Sequence, residues 1–193
     1  KYVFNCMNTD KICIFTDTGK MHTIKAVDIP LGRFRDKGTP VDNLSNYDSS
    51  QERMLYVAPV GQLRSDRLLF VTKTSMCKLV EGAEFDVAKR TIASTKLADE
   101  DELIFIGSAS EMEQIVLQSH GGCFLRFLTQ EVSTMKKTAL GVRGMKLADD
   151  DYLEHAYLLA GHQEYTISYH DKEYALNKVR LAKRDTKGIK PRI

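Results

Sequence analysis

Lysine and arginine side chains recur in four loops of the 193-residue chain, where each could neutralise a phosphate group. A cation that neutralises a nucleic-acid phosphate releases counterions, so many such contacts give affinity without reading the bases. The predicted phosphate contacts are Arg33, Arg35, Lys37, Lys89, Arg90, Lys136, Lys137, Arg143, Arg180, Lys183, Arg184 and Lys187. Weaker candidates on predicted strands are Lys20, Lys25, Lys78 and Arg126.

The positive charge follows the repeat of the chain. Four segments contain 22 of the 28 Lys and Arg residues but only 8 of the 26 Asp and Glu residues: 20–37, 78–96, 126–146 and 172–192. Their net charge is +14, whereas the other 114 residues carry −12. If the copies form a ring, equivalent loops would merge into a continuous positive band, and contacts around its rim would favour bent DNA.

Four copies of one β-unit must position these loops, because their closing segments end at residues 44, 97, 147 and 193. Each copy is predicted to pair two β-rich runs: 2–6 with 12–16, 54–60 with 68–72, 102–108 with 114–119, and 153–159 with 165–169. A polar turn, a third strand and a basic loop follow, and Gly19, Gly121 and Gly122 suit turn positions with positive φ. The predicted closing strands are 37–44, 90–97, 140–147 and 186–193.

This pattern predicts an all-β fold, because no helical periodicity accompanies it. Four strands per copy indicate a propeller-like array of four four-stranded blades in a single domain. The predicted repeats are 1–44, 45–97, 98–147 and 148–193. The chain does not begin with Met, so we expect it to be a fragment of a longer protein.

No enzyme signature accompanies the repeat. The sequence has no P-loop, G-x-S-x-G, G-x-G-x-x-G or H-E-x-x-H motif, so no catalytic residue and no cofactor are predicted. The acidic runs 99–102 and 149–151 lack the ligand spacing of a Ca²⁺ loop, and no metal site is predicted. A propeller that binds proteins and has no DNA role remains the alternative.

Several motifs carry a family resemblance across essentially the whole chain. The first copy has Ile29-Pro30 and Lys37-Gly38, the third has Gly141-Val-Arg-Gly, and the fourth has Thr186-Lys-Gly-Ile. In this order and spacing they resemble the C-terminal domain of the A subunit of bacterial DNA gyrase and of topoisomerase IV. The resemblance implies a β-pinwheel whose neighbouring blades exchange strands and whose basic perimeter binds and bends duplex DNA.

The same resemblance implies an accessory role in ATP-dependent passage of one duplex through another. Its implied partners are DNA, the ATPase B subunit and the remainder of the A subunit in an A2B2 holoenzyme of the bacterial cytoplasm, at the nucleoid and without membrane contact. The cleaving tyrosine, ATP and magnesium would act elsewhere in that assembly. The Q-x-R-G-G-x-G box of gyrase domains does not occur here, which leaves gyrase and topoisomerase IV both open.

Overall fold

The computed structural model of the protein describes residues 2–161 and 163–192, and the regular secondary structure of these residues is mostly β-strand, which confirms the fold class. The strands in this part of the chain are β1 Lys11–Thr16, β2 Lys20–Lys25, β3 Met54–Pro59, β4 Arg67–Thr72, β5 Met76–Glu81, β6 Thr91–Ala93, β7 Leu103–Ser108, β8 Gln114–Ser119, β9 Phe124–Leu128, β10 Val142–Arg143, β11 Leu153–Leu159, β12 Thr166–Tyr169 and β13 Lys172–Ala175. The short helix α1 is Val60–Leu63. The 3-10 turns are Ala26–Asp28, Val41–Asn43, Gly82–Phe85, Thr129–Glu131 and Leu176–Lys178.

Each copy contributes one antiparallel hairpin, and these are β1–β2, β4–β5, β8–β9 and β12–β13. Gly19, Ser75 and Gly122 occupy the same turn position in the first three hairpins, with φ angles of 75°, 73° and 80°. Glycine accepts this left-handed conformation without steric cost. In the third hairpin Gly122 adopts it and Gly121 does not. Ser75 bears the steric cost of this conformation, and its buried hydroxyl offsets part of that cost by accepting a 2.7 Å hydrogen bond from the backbone N–H of Met145.

Neighbouring copies exchange strands, so the pairing predicted within each copy is wrong. Strands β3, β7 and β11, the first runs of copies two to four, pair with β1, β4 and β8 of the copy before. Strands β6 and β10, which close copies two and three, pair with β2 and β5 of the copy before. Side-chain alternation is the same whichever hairpin a strand joins, so periodicity could not decide between these pairings.

The strand exchange determines how many strands each blade has. Among the described residues the sheets run β3-β1-β2-β6, β7-β4-β5-β10, β11-β8-β9 and β12-β13, so there only the first two have the four strands predicted for every blade. In the third, an antiparallel bridge from Ile189 to Phe124 stands in place of a closing strand. Residues 2–6 and 37–44 were predicted as strands and form none. Their equivalents in later copies pair with the hairpin of the copy before.

The inner strands β3, β7 and β11 pack against one another, which places them along the axis of a disc. Aromatic side chains fill the space between the first two blades, where Phe15 and Phe85 meet edge to face with ring centroids 4.9 Å apart. Two further apolar clusters lie between the later blades, one around Phe127 and one around Leu176. Because the inner strands lie at the centre, the opposite edge of each sheet lies at the perimeter.

Gly141 allows the third basic loop to return against β5. Its φ is 108°, and a Cβ atom there would lie 2.6 Å from the carbonyl oxygen of Cys77. Gly38 holds the same loop position in the first copy with φ of 71°, but a Cβ atom there would meet nothing within 4 Å. We expect Gly141→Ala to lower the free energy of unfolding by about 3 kcal/mol and Gly38→Ala by about 1 kcal/mol. Chemical denaturation measures both losses, and equal losses would contradict this account of the loop.

Candidate nucleic-acid interface

The basic loops of copies two, three and four lie along the perimeter. Each lies against the second hairpin strand of the preceding copy, which is β2, β5 or β9. The backbone N–H of Thr23 in β2 donates to the carbonyl of Arg90 at 2.9 Å. In β5, the N–H of Leu79 donates to Ser133 at 3.2 Å. In β9, the carbonyl of Arg126 accepts from the N–H of Ala182 at 2.8 Å. Three successive loops are therefore attached to equivalent outer edges.

Cations occupy the same register in three of the four loops. Arg33, Lys136 and Lys183 each lie five residues after the end of a 3-10 turn, and all three are exposed. Lys37 and Lys187 share a second position, nine residues after the turn, and both are exposed. The second copy has a shorter loop, in which the exposed Lys89 and Arg90 supply the charge. Equivalent spacing on equivalent edges gives the perimeter a regular series of cations.

Two predicted contacts, Lys137 and Arg184, also fasten their loops to the neighbouring blade. Their backbone N–H groups donate to the carboxylates of Glu84 and Glu131 at 3.1 and 2.9 Å. Their side chains donate to the backbone carbonyls of the same glutamates at 3.3 and 3.0 Å. Burial by itself would raise the pKa of Glu84, but hydrogen bonds and charge from Lys136 and Lys137 lower it below its usual value. These two cations are therefore half-buried anchors and contribute less charge to the surface than predicted.

The remaining predicted contacts differ in whether they form hydrogen bonds or ion pairs within the protein. Arg180 is exposed, and the exposed Arg90 donates a 3.3 Å hydrogen bond to the carbonyl of Leu44. Arg143 forms a two-point ion pair with Asp185, with 3.2 Å between Nη2 and Oδ2. Lys136 pairs with Glu84 at 3.3 Å, although 82% of its side-chain surface stays exposed. The third loop therefore presents less uncompensated charge than the fourth.

The structure does not bring the first loop together with the others. Arg33, Arg35 and Lys37 are exposed, and within the described ranges their loop belongs to none of the sheets. The backbone N–H of Arg33 donates to Asp36, which closes a local turn at 2.6 Å. Arg33 and Lys37 match cations of the other loops in register, whereas Arg35 corresponds to Thr138 and Asp185.

Sequence reasoning did not select Lys96 and Lys146, which are exposed at the ends of the closing segments. Their backbone N–H groups donate to the carbonyls of Lys137 and Thr186 at 3.1 and 3.0 Å. Both lysines therefore lie where the closing segment of one copy meets the loop of the next, at the perimeter. Each precedes a leucine, and this repeated Lys-Leu pair was the signal that could have identified them.

Two weaker candidates, Lys78 and Arg126, point into the protein. Lys78 is 1% exposed, and its Nζ donates to the carbonyls of Lys137 and Ala139 at 2.8 and 2.7 Å. Burial lowers the pKa of Lys78 to about 8, against a smaller opposing effect from Glu84. Arg126 is half-buried and donates from Nη1 to the carbonyl of Val179 at 3.0 Å. The charge count from the sequence therefore overstates the cations available at the surface.

Acidic side chains cap the hairpin turns at one end of the blades. Asp101 accepts two hydrogen bonds from Thr74, at 3.1 and 2.6 Å, and Asp151 accepts one from the N–H of Gly121 at 2.8 Å. Burial by itself would raise the pKa of Asp151, but the hydrogen bonds that it accepts lower it below its usual value. The turn ends of the blades are therefore acidic, while the perimeter carries the basic loops.

The described ranges contain no group of three or more His, Cys, Asp and Glu side chains placed to hold a metal ion. They also contain no helix whose length and apolar character would allow it to cross a membrane. The buried His22 is occupied by contacts to Glu52 at 2.7 Å and to Thr91 at 2.9 Å.

Comparison with known proteins gives three related findings. The family model described as DNA gyrase C-terminal domain, beta-propeller, matches residues 10–49, 66–110 and 113–160. The chain is 27% identical over 184 residues to the A subunit of DNA gyrase from Ureaplasma parvum, covering 92% of this chain and 22% of that protein. It is 29% identical over 153 residues to the A subunit of DNA topoisomerase 4 from Bacillus subtilis, covering 78% of this chain and 19% of that protein.

A solved structure shares the fold. The crystal structure of the C-terminal domain of DNA topoisomerase IV superposes with a TM-score of 0.84 at 24% sequence identity, covering 94% of this chain and 58% of that chain. The three family matches coincide with the first three hairpins and the basic loops that follow them. The chain spans about a fifth of the length of the curated relatives that it matches.

Proposed function

The chain belongs to the family of DNA gyrase C-terminal domains with a beta-propeller fold, and from this membership we propose that it binds duplex DNA along its basic perimeter. Binding would be sequence-tolerant, because the loops present lysine and arginine side chains suited to phosphates. The domain would act as an accessory to strand passage by a type IIA topoisomerase. Neither cleavage nor ATP hydrolysis is assigned to its residues.

One observation carries this proposal: equivalent cations lie on equivalent outer edges of successive blades. Lys136 and Lys183 share one loop register, and both loops are seated on the third strand of the blade before. A protein-binding face requires no such repetition of charge. A duplex, whose phosphates are regularly spaced, would meet a cation at each successive blade.

The curvature of the perimeter favours bending of the DNA. Straight DNA could touch only part of a disc's rim, whereas a bent duplex reaches loops of several blades. Bending a site of 20–30 base pairs by 40–90° costs on the order of 1–6 kcal/mol, which added phosphate contacts can offset. We therefore propose that the domain bends or wraps the bound segment.

The domain would serve a larger assembly, because its relatives are several times longer than this chain. We propose one DNA-wrapping domain made of repeats 1–44, 45–97, 98–147 and 148–193, working with an ATPase B subunit and the rest of an A subunit in the bacterial cytoplasm, at the nucleoid. ATP and magnesium would act in other parts of that A2B2 holoenzyme. Relatives of both the gyrase and the topoisomerase IV type are similar to the chain, so the proposal covers either.

Titration of a fluorescent duplex with the protein at several salt concentrations tests the proposal. With six or more phosphate contacts, we expect the affinity to fall about a thousandfold or more between 50 and 200 mM salt. Duplexes of unrelated sequence should bind alike, and energy transfer between dyes at the two DNA ends should rise on binding. Absent or salt-indifferent binding would refute the proposal and favour a propeller that binds proteins.

A further inference from the structure

The proposed function assigns no role to the buried Lys78. Its side chain lies on β5 beneath the third basic loop, with Nζ 5.7 Å from the ring centroid of Phe70. It donates hydrogen bonds to two loop carbonyls, those of Lys137 and Ala139. Removing an ammonium group from water is costly unless its hydrogen bonds are satisfied. A lysine at this position therefore needs an explanation other than packing.

The fold itself does not require a cation at this position. Counted from the hairpin turns, His22 in the first blade and Leu125 in the third are the equivalents of Lys78. Leu125 is 2% exposed, so an apolar side chain is accommodated in the same place on a neighbouring blade. The feature particular to Lys78 is the pair of bonds to the loop that carries Lys136 and Lys137.

Similar attachments recur in the adjacent blades. In the first blade, Nδ1 of His22 lies 2.9 Å from the hydroxyl of Thr91, beside Lys89 and Arg90. In the third, Arg126 donates to the carbonyl of Val179, where the fourth basic loop begins. In all three blades a nitrogen-bearing side chain of the third strand bonds to the segment of the next copy that carries the proposed DNA contacts.

We propose that Lys78 is a positioning residue, which holds the loop 133–141 on the second blade so that the exposed Lys136 faces DNA at the perimeter. This inference rests on the proposed function and adds to it the interior group that orders one DNA-binding loop. Lys78 acts through the loop backbone, and it does not itself touch DNA. The charged groups around it are Glu84 on the 3-10 turn below and Lys136 and Lys137 on the loop above.

Hydrogen exchange of Lys78→Met in the full chain tests the anchoring. Methionine keeps the length and apolar stem of lysine but cannot donate hydrogen bonds. We expect the amides of Met135 and Lys137 to exchange at least about tenfold faster, while amides of β4 keep their protection. Lys78→Arg should restore most of the protection, because arginine can still donate to both carbonyls. Lys73→Met, at the acidic turn end of the same blade, is the matched control and should leave the loop unchanged.

A DNA titration of the same variants completes the test. Lys78→Met should lower the affinity about three- to tenfold and reduce the slope of log affinity against log salt by about one, the contribution of Lys136. Unchanged loop exchange, or faster exchange throughout the domain, would overturn the positioning role. If the wild-type chain shows no salt-dependent binding, the proposed function fails, and that outcome is visible without any variant.

Discussion

Replacing Arg33, Lys136 and Lys183 together by Gln is expected to weaken binding to a linear duplex by about a hundredfold at low salt. These residues hold the same register in three loops, so the replacement removes one exposed cation from each of those loops. The slope of log affinity against log salt should fall by about three, because each lost contact releases about one counterion fewer. Fluorescence anisotropy over a range of salt concentrations measures both quantities.

The matched control is Arg53, Arg64 and Lys73 replaced by Gln, which changes the net charge by the same amount. These side chains lie outside the basic loops and pair with Asp17, Asp86 and Glu102. Affinity and slope should therefore change little. Equal losses in the two triple variants would show that overall charge, and not its placement on the perimeter, governs binding. Retained thermal stability in both would exclude unfolding as the cause of any loss.

Glu52→Ala is expected to lower the free energy of unfolding by about 3–5 kcal/mol, because it leaves a buried polar network without its carboxylate. Glu52 and His22 are both buried, and 2.7 Å separates Oε1 from Nε2. The hydroxyl of Thr18 donates to the other oxygen at 3.0 Å. Loss of this carboxylate therefore leaves Nε2 of the buried His22 without this partner. Chemical denaturation at neutral pH measures the effect, and Asp99→Ala, which removes an exposed carboxylate, is the control.

The same residue should impart a dependence on pH. Burial by itself would raise the pKa of Glu52, but hydrogen bonds from Thr16 and Thr18 and the interaction with His22 lower it below its usual value. The unfolded chain therefore takes up protons before the folded one, so the stabilisation is complete above the ordinary carboxylate pKa of about 4.3 and is lost as pH falls through the folded value. Glu52→Gln should flatten this part of the stability profile. An acid profile identical to that of the wild type would contradict the assignment.

Local patterns were sufficient to locate the hairpins and the basic loops. Strands β1, β4 and β8 lie within a residue of the predicted runs 12–16, 68–72 and 114–119, because a run rich in β-forming residues is a property of consecutive residues. The turn at Gly19 was also predicted, since a left-handed φ favours glycine whatever its surroundings. The family resemblance added strand exchange, which the residues alone did not indicate.

Contacts between residues about fifty positions apart decide which hairpin each strand joins. The same contacts decide which cations remain at the surface. Lys78, Lys137 and Arg184 were counted as surface charge, yet each donates hydrogen bonds to the backbone of a neighbouring copy. Composition and spacing place a lysine in a segment, but its exposure depends on what packs over it. The amino-acid sequence therefore determined the repeat, the all-β class and the phase of the charge. Only the tertiary structure decided which cations are held in hydrogen bonds to a neighbouring copy and which are exposed at the perimeter, because burial depends on partners that are distant in the chain.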